Sequence, residues 1–363
     1  MENAAGGPTT RDAYTGAPRR RRRLGLELTA LGVVGVLLLA ALGAGAAAAY
    51  RELYSPKAFV LHYLDLLRER HTSEALAVPG VAVDAADLEA AGLPSSSSEA
   101  LLRPDALLPL GDATVVDESE DGTTSRLTVQ YTAGGHQGRT TFSVTQDGWI
   151  GVAPRWRFET SPLAVVNLTV RGSMEFSVNG FDIDKRQVSV DGADADPAAA
   201  VPLLVFSPGL YSISVDTAIS ATPGVAVLAD APLAGIPVDM QAQPTDEFVS
   251  VVQQRVEDFL TACATQQVLQ PTGCPFGYTV RNRIDGAPAW SIVQQPKVTV
   301  APDGAGWRIP STTAVAHIEV KIRSIFDGSL RTLEQDVPFN VDGQIAVLPD
   351  GSASITVGGS TPD

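Results

Sequence analysis

The chain is predicted to be an α+β protein: a single N-terminal transmembrane helix, then two helix-plus-antiparallel-sheet units of NTF2 or cystatin type flanking a small all-β sandwich. Three observations predict this. Residues 28–50 carry no charge and directly follow five consecutive arginines, Arg19, Arg20, Arg21, Arg22 and Arg23, with only Glu27 near the junction. Apolar residues recur every three or four positions in two separate stretches, the period of a helix with one buried face. From Asp112 onward the period falls to two, interrupted by turn dipeptides, as in antiparallel strands.

At about 1.5 Å per residue, the uncharged run reaches across a hydrocarbon core of about 30 Å. The basic cluster ahead of it predicts a cytoplasmic N-terminus, with everything after Arg51 outside: a cell membrane protein crossing once. Ala46 to Ala49 present a small-residue cleavage site, so a cleaved signal peptide is the competing reading. A twin-arginine signal is a further one. The polar, arginine-rich residues 1–23 predict a disordered tail, with the span over 24–50.

Charge is divided unevenly. Residues 1–23 hold six arginines against Glu2 and Asp12, residues 24–57 balance, and residues 58–363 therefore carry a net −19 of the chain's −15. That acidity predicts repulsion of nucleic acid and anionic lipid. Solubility is its plain reading, and a preference for cationic partners the sharper one.

The first α+β unit, 51–161, opens on a helix with Phe59, Val60, Tyr63, Leu64 and Leu67 on one side. An Ala/Pro/Ser-rich stretch from Leu76 to Leu110 follows. Then come strands at Leu127–Tyr131 and Phe142–Val144, and a closing Trp156-Arg157-Phe158. Asp-Gly occurs at positions 121, 147, 191, 285, 303, 327, 342 and 350, with Asn179-Gly180 besides. These dipeptides supply the positive φ that tight hairpins need. Residues 162–243 read as strands throughout, a sandwich-sized unit.

The second α+β unit, 244–358, starts at Thr245, whose hydroxyl suits a helix N-cap. Phe248, Val252, Val256, Phe259, Leu260 and Cys263 form the stripe behind it. Strands follow at Val298–Val300, Trp307–Ile309, Val315–Arg323, Leu333–Val341, Ile345–Leu348 and Ser354–Val357, with a tail at 359–363. The triplets Trp156-Arg157-Phe158 and Trp307-Arg308-Ile309 suggest one plan used twice.

Cys263 and Cys274 are the only cysteines. In an oxidising compartment a close isolated pair reads as a disulfide, here tying the helix end to the loop around Pro271 and Pro275. No nucleotide, zinc-protease, nucleophile-elbow or EF-hand signature is present, and no catalytic residue, cofactor or metal is predicted. His62, His71, His136 and His317 are isolated in sequence. His62 and Asp65 are spaced to meet on one helix face. Asp191, Asp194 and Asp196 crowd one loop but lack the remaining ligands of a calcium site. Asn167-Leu168-Thr169 fits a glycosylation sequon inside a predicted strand. Trp149, Trp156, Trp290 and Trp307 read as packing residues, with a ligand platform as the alternative.

The order of parts, with the strings "SVNG" at 177–180 and "SPGLYSISV" at 207–215, resembles the teicoplanin-resistance-associated (TcaA/YvbJ-like) envelope proteins. The resemblance covers most of residues 20–357. It departs in one respect: that family begins with a cytoplasmic Cys-x-x-Cys zinc ribbon, and no cysteine precedes residue 263 here. It implies a non-enzymatic binding or scaffold role in a bacterial-type envelope, toward another envelope protein or a wall polymer. An exported enzyme with a site between helix and sheet is the alternative.

Overall fold

The computed structural model describes residues 20–151 and 153–358, and within the first helix the side chains of 29–43, 50, 52 and 53. The chain divides into two compact bodies at Ala58/Phe59. Helix α1 (Arg20–Leu53) lies in the first body, and the two helix-plus-sheet units lie almost wholly in the second. Among the described residues, no helix is long and apolar enough to cross a membrane. The expected transmembrane span, single-pass topology and cell-membrane localisation are corrected accordingly. Arg19 and the expected disordered stretch up to it lie outside the described residues, as does the 359–363 tail. Arg20, Arg21, Arg22 and Arg23 form the start of α1, with side chains outside the described set.

The expected α+β class is also corrected. The protein is mostly β, 43% strand against 22% helix, in several sheets of which one is a half-barrel. The physical reason is economy of helices. Much of the helical share lies in α1, and each sheet beyond it is covered by few and mostly short helices.

Helix α2 (Pro56–Arg68) begins with Ala58 N–H donating to Ser55 Oγ at 3.1 Å. Short helices α3 (Thr72–Ala77) and α4 (Ala85–Ala90) follow. In the latter, Asp84 and Asp87 cap each other's backbone N–H reciprocally. Strands β1 (Thr114–Asp121), β2 (Thr124–Ala133), β3 (His136–Ile150) and β4 (Ala153–Phe158) form an antiparallel meander in chain order. Asp147-Gly148 does not end a strand, since β3 runs through it with a register shift against β4.

In the middle region β5 (Leu163–Arg171), β6 (Glu175–Val178) and β7 (Phe181–Asp184) lead into one helical turn, α5 (Lys185–Val188). After it come β8 (Val201–Phe206), β9 (Gly209–Ser214), β10 (Ser220–Ala221), β11 (Val225–Ala229), β12 (Gly235–Gln241) and β13 (Gln243–Pro244). Two sheets, β12-β5-β8 and β11-β9-β6-β7, enclose a core that includes Val166, Leu168, Phe176, Tyr211 and Ile213. One pairing departs from the antiparallel expectation: β12 returns parallel to β5. A parallel return needs a long crossover, and β6 to β11 supply it.

Helix α6 (Asp246–Ala264) precedes β14 (Arg283–Ile284), β15 (Ala289–Gln294), β16 (Ala301–Asp303), β17 (Gly306–Arg323), β18 (Leu330–Val347) and β19 (Ala353–Gly358). Thr245 Oγ1 accepts from Phe248 N–H at 3.1 Å, a cap of about 1 kcal/mol. Phe248, Val252, Val256 and Leu260 are buried against the six-stranded sheet. Each contributes about 1.5–3 kcal/mol by burial, so packing outweighs the cap in holding this helix.

Asp342-Gly343, expected as a turn, lies inside β18. A side chain at Gly343 would stand 2.6 Å from Thr356 O and 3.1 Å from Ile309 Cδ1. Glycine is there to let β19 and Ile309 close in, and the strands expected on either side are therefore one.

Candidate functional site

A site between helix and sheet requires polar groups converging in that interior. In the first unit the space under α2 is filled by Tyr63, Leu67, Val129, Phe142 and Phe158, all buried. Their rings pack edge-on or tilted at 5.2–6.3 Å between centroids. Two phenols lie in this core: Tyr131 Oη is buried and makes no hydrogen bond among the described residues, whereas Tyr63 Oη is taken. Tyr63 Oη donates to Ser207 O at 3.1 Å and approaches Pro162 O at 3.4 Å, and burial raises its pKa well above the usual phenol value. This core continues past residue 162, taking in Leu163, Val165, Leu204 and Phe206. In the second unit Trp307, Ile309, Ala316, Ile318, Phe339 and Val341 fill the space under α6. Trp290 Nε1 donates to Val268 O at 2.8 Å, so its polar edge is also taken.

The histidines stay outside these interiors. His62 is exposed, and Asp65, expected beside it, instead holds Arg68 at 2.8 Å. His71 stands before α3, 3.5 Å from Glu74. His136 is exposed at the start of β3. His317 Nδ1 lies 2.7 Å from Asp336 Oδ1 on the outer face of β17 and β18. Asp191, Asp194 and Asp196 are exposed, and among the described residues no group of carboxylate, histidine or cysteine side chains is arranged to hold a metal ion. Asn167 sits in β5, paired on both sides by β8 and β12, which leaves no loop for a sequon to act from. The tryptophans do not share a platform: Trp149 is 63% exposed at the β3–β4 end, Trp156 is half-buried, and Trp290 and Trp307 are buried in the second unit.

The strings "SVNG" and "SPGLYSISV" meet in space. Asn179, at φ 53° in the β6–β7 turn, donates from Nδ2 to Leu210 O at 3.0 Å and to Ala106 O at 2.8 Å. Its Oδ1 accepts from Ser212 N–H at 2.8 Å. One amide thus clips the turn to β9.

Cys263 and Cys274 lie at disulfide distance, 2.06 Å between sulfurs. Cys263 is buried at the end of the α6 stripe, and Gln266 braces the loop by accepting from Thr272 N–H at 2.9 Å. Closing so short a loop is worth about 3 kcal/mol on the chain-entropy model. Replacing both cysteines with alanine is expected to lower unfolding stability by about 2–4 kcal/mol, measured by urea titration. A loss under about 0.5 kcal/mol would show that α6 packing alone holds this end.

Outside the cores, a groove of about 340 Å³ is lined by Glu175, Asp182, Asp184, Asp216 and Thr217. Arg186 binds Asp184 from one side, which holds that carboxyl below the ordinary carboxylate range. The groove suits a cationic group. Lys185, next to it in sequence, turns inward and is fully buried. Its Nζ donates to Val170 O at 2.8 Å and to Pro197 O. Nothing in its sequence context signalled this burial. No protein-family model, curated protein or solved structure matches the chain.

Proposed function

We propose that this protein is a non-enzymatic binding or scaffold protein whose recognition takes place on its outer surfaces, in an oxidising compartment. The observation that carries the reading is the filling of both helix-on-sheet interiors by aliphatic and aromatic side chains, with the polar tips of Tyr63 and Trp290 bonded to backbone. Catalysis needs a concave space where a reacting atom can sit near a nucleophile or base. These interiors offer packing in its place. The cysteine pair supports an oxidising setting, since such pairs persist where thiols are not kept reduced. Kinship with the teicoplanin-resistance-associated envelope proteins is part of the proposal and rests on the two strings joined by Asn179. A partner among envelope proteins or wall polymers follows from that kinship. The test is photo-crosslinking in the native cell from reactive side chains placed on exposed strand positions. One recurrent partner trapped from one face supports the reading. Turnover of a small molecule, lost when a side chain lining either interior is changed at unaltered stability, contradicts it.

A further inference from the structure

The turn between β17 and β18, Ser324 to Ser329, reaches past the last paired residues, Arg323 and Leu330. It presents large apolar side chains to water: Phe326 is 93% exposed, Ile325 66% and Leu330 58%. The turn is not loose. Ser324 N–H donates to Ser329 O at 2.9 Å and Gly328 N–H to Ser324 O at 3.0 Å, with Gly328 at φ 73°. Asp327 Oδ1 accepts from both Ser329 N–H and Ser329 Oγ. Its backbone polar groups are thus largely bonded within the turn, which lowers the desolvation cost of leaving water.

Below this apex lies a cationic collar. Five of the eight lysines and arginines between residues 187 and 363 gather here: Arg281, Arg283, Lys321, Arg323 and Arg331. Asp285 and Asp327 lie among them and the exposed pair Glu319 and Glu334 sits two pairs further down the hairpin, so the tip keeps a small positive excess in a chain of net −15. The register puts Arg283, Lys321 and Arg323 on one face and Arg331 on the other. Arg283 pairs across from Arg323, which pairs across from Leu330, while Ile284 pairs with Ile322 and that with Arg331. Arg323 also grips Asp285 at 3.1 Å and reaches Gly328 O, bracing the turn against its base.

An apolar apex with positive charge on one face would suit a groove on another protein. Positive charge on both faces suits a plane that meets the hairpin end-on. We propose that the β17–β18 tip is a peripheral contact for an anionic lipid surface. Ile325 and Phe326 enter the acyl boundary, and the arginine stems extend toward headgroup phosphates. The chain's overall acidity does not prevent this, because at physiological salt charges more than about 8 Å away are largely screened. The contact uses no part of α1 and stands apart from the scaffold reading above.

The test uses the full chain carrying Phe326→Trp, with the wild type as background for the native tryptophans. The probes are vesicles of phosphatidylcholine alone and of phosphatidylcholine mixed with phosphatidylglycerol, each with a chain-brominated quencher. The added tryptophan is expected to shift to the blue and be quenched on the mixed vesicles only. In the same chain, Arg283→Gln with Arg331→Gln is expected to weaken that response roughly thirtyfold, at about fivefold per cation. Emission from residue 326 that ignores anionic vesicles overturns the proposal, even if the protein floats with them through another segment. An equal response on phosphatidylcholine alone overturns it too, since the collar would then recognise nothing.

Discussion

Replacing Trp307 with alanine is expected to lower unfolding stability by about 3–5 kcal/mol, the range for removing a large aromatic from a packed core. Trp307 is 1% exposed, its ring centroid lies 5.4 Å from that of Phe248 on α6, and its Nε1 donates to Ala242 O at 3.2 Å. It therefore ties β17 to the helix and to the residue that follows β12. Ala242 O keeps a second donor in Gln241 Nε2, so the loss comes chiefly from the cavity. Gly172 marks how closely the indole is held, for a side chain there would meet Trp307 Cζ2 at 3.0 Å. Trp307→Phe should recover more than half of the loss. Urea midpoints for both variants decide it, and a loss under about 1 kcal/mol for the alanine variant would show that Trp307 does not hold β17 to α6 and Ala242.

Lys185→Met is expected to lower stability at neutral pH by about 1–3 kcal/mol and to remove a pH dependence. The ammonium is withdrawn from water, which pushes its pKa down to about 8, with Asp196 pulling the other way. Its ordinary value is near 10.5. Between those values the unfolded chain holds a proton that the folded chain has released. Stability of the native protein therefore rises with pH across that window. The gain is on the order of 1–3 kcal/mol. Below pH 8 both states carry the charge, and this contribution is flat. The methionine variant has no such group, so its deficit against the native chain should widen from pH 8 to 10. A deficit that stays constant or narrows would place the amine in water.

The helix over 246–264 was legible because its stripe and its Thr245 cap are local features, set by spacing and by one hydroxyl. The β-strands were legible for the same reason, as period-two runs. What escaped depends on contacts distant in sequence. Asp342-Gly343 has the composition of a turn, yet its glycine serves the close approach of Thr356 and Ile309. Tyr63 carries the first core into the strands beyond residue 162 through Ser207, and no local pattern reports a bond across that distance. The parallel β5–β12 pair is hidden because strand period does not encode direction. The uncharged run and the two helical stripes are strong local signals, whereas the many short strands that make the protein mostly β each signal weakly. Lys185 and Phe326 reverse the usual rule, a cation inside and a phenyl ring outside. Residue type pointed the wrong way at both.

The account's central claim is that recognition lies on the surface while the interiors serve packing alone. The most direct measurement pairs in-cell crosslinking with thermal stability for volume-conserving interior swaps, Leu67→Met under α2 and Leu260→Met under α6. Both sites are buried within the apolar cores. Such swaps are expected to cost less than about 1.5 kcal/mol. The account predicts that both variants keep the crosslinking pattern of the native chain. Loss of that pattern at native-like stability would place the functional site in an interior and contradict it.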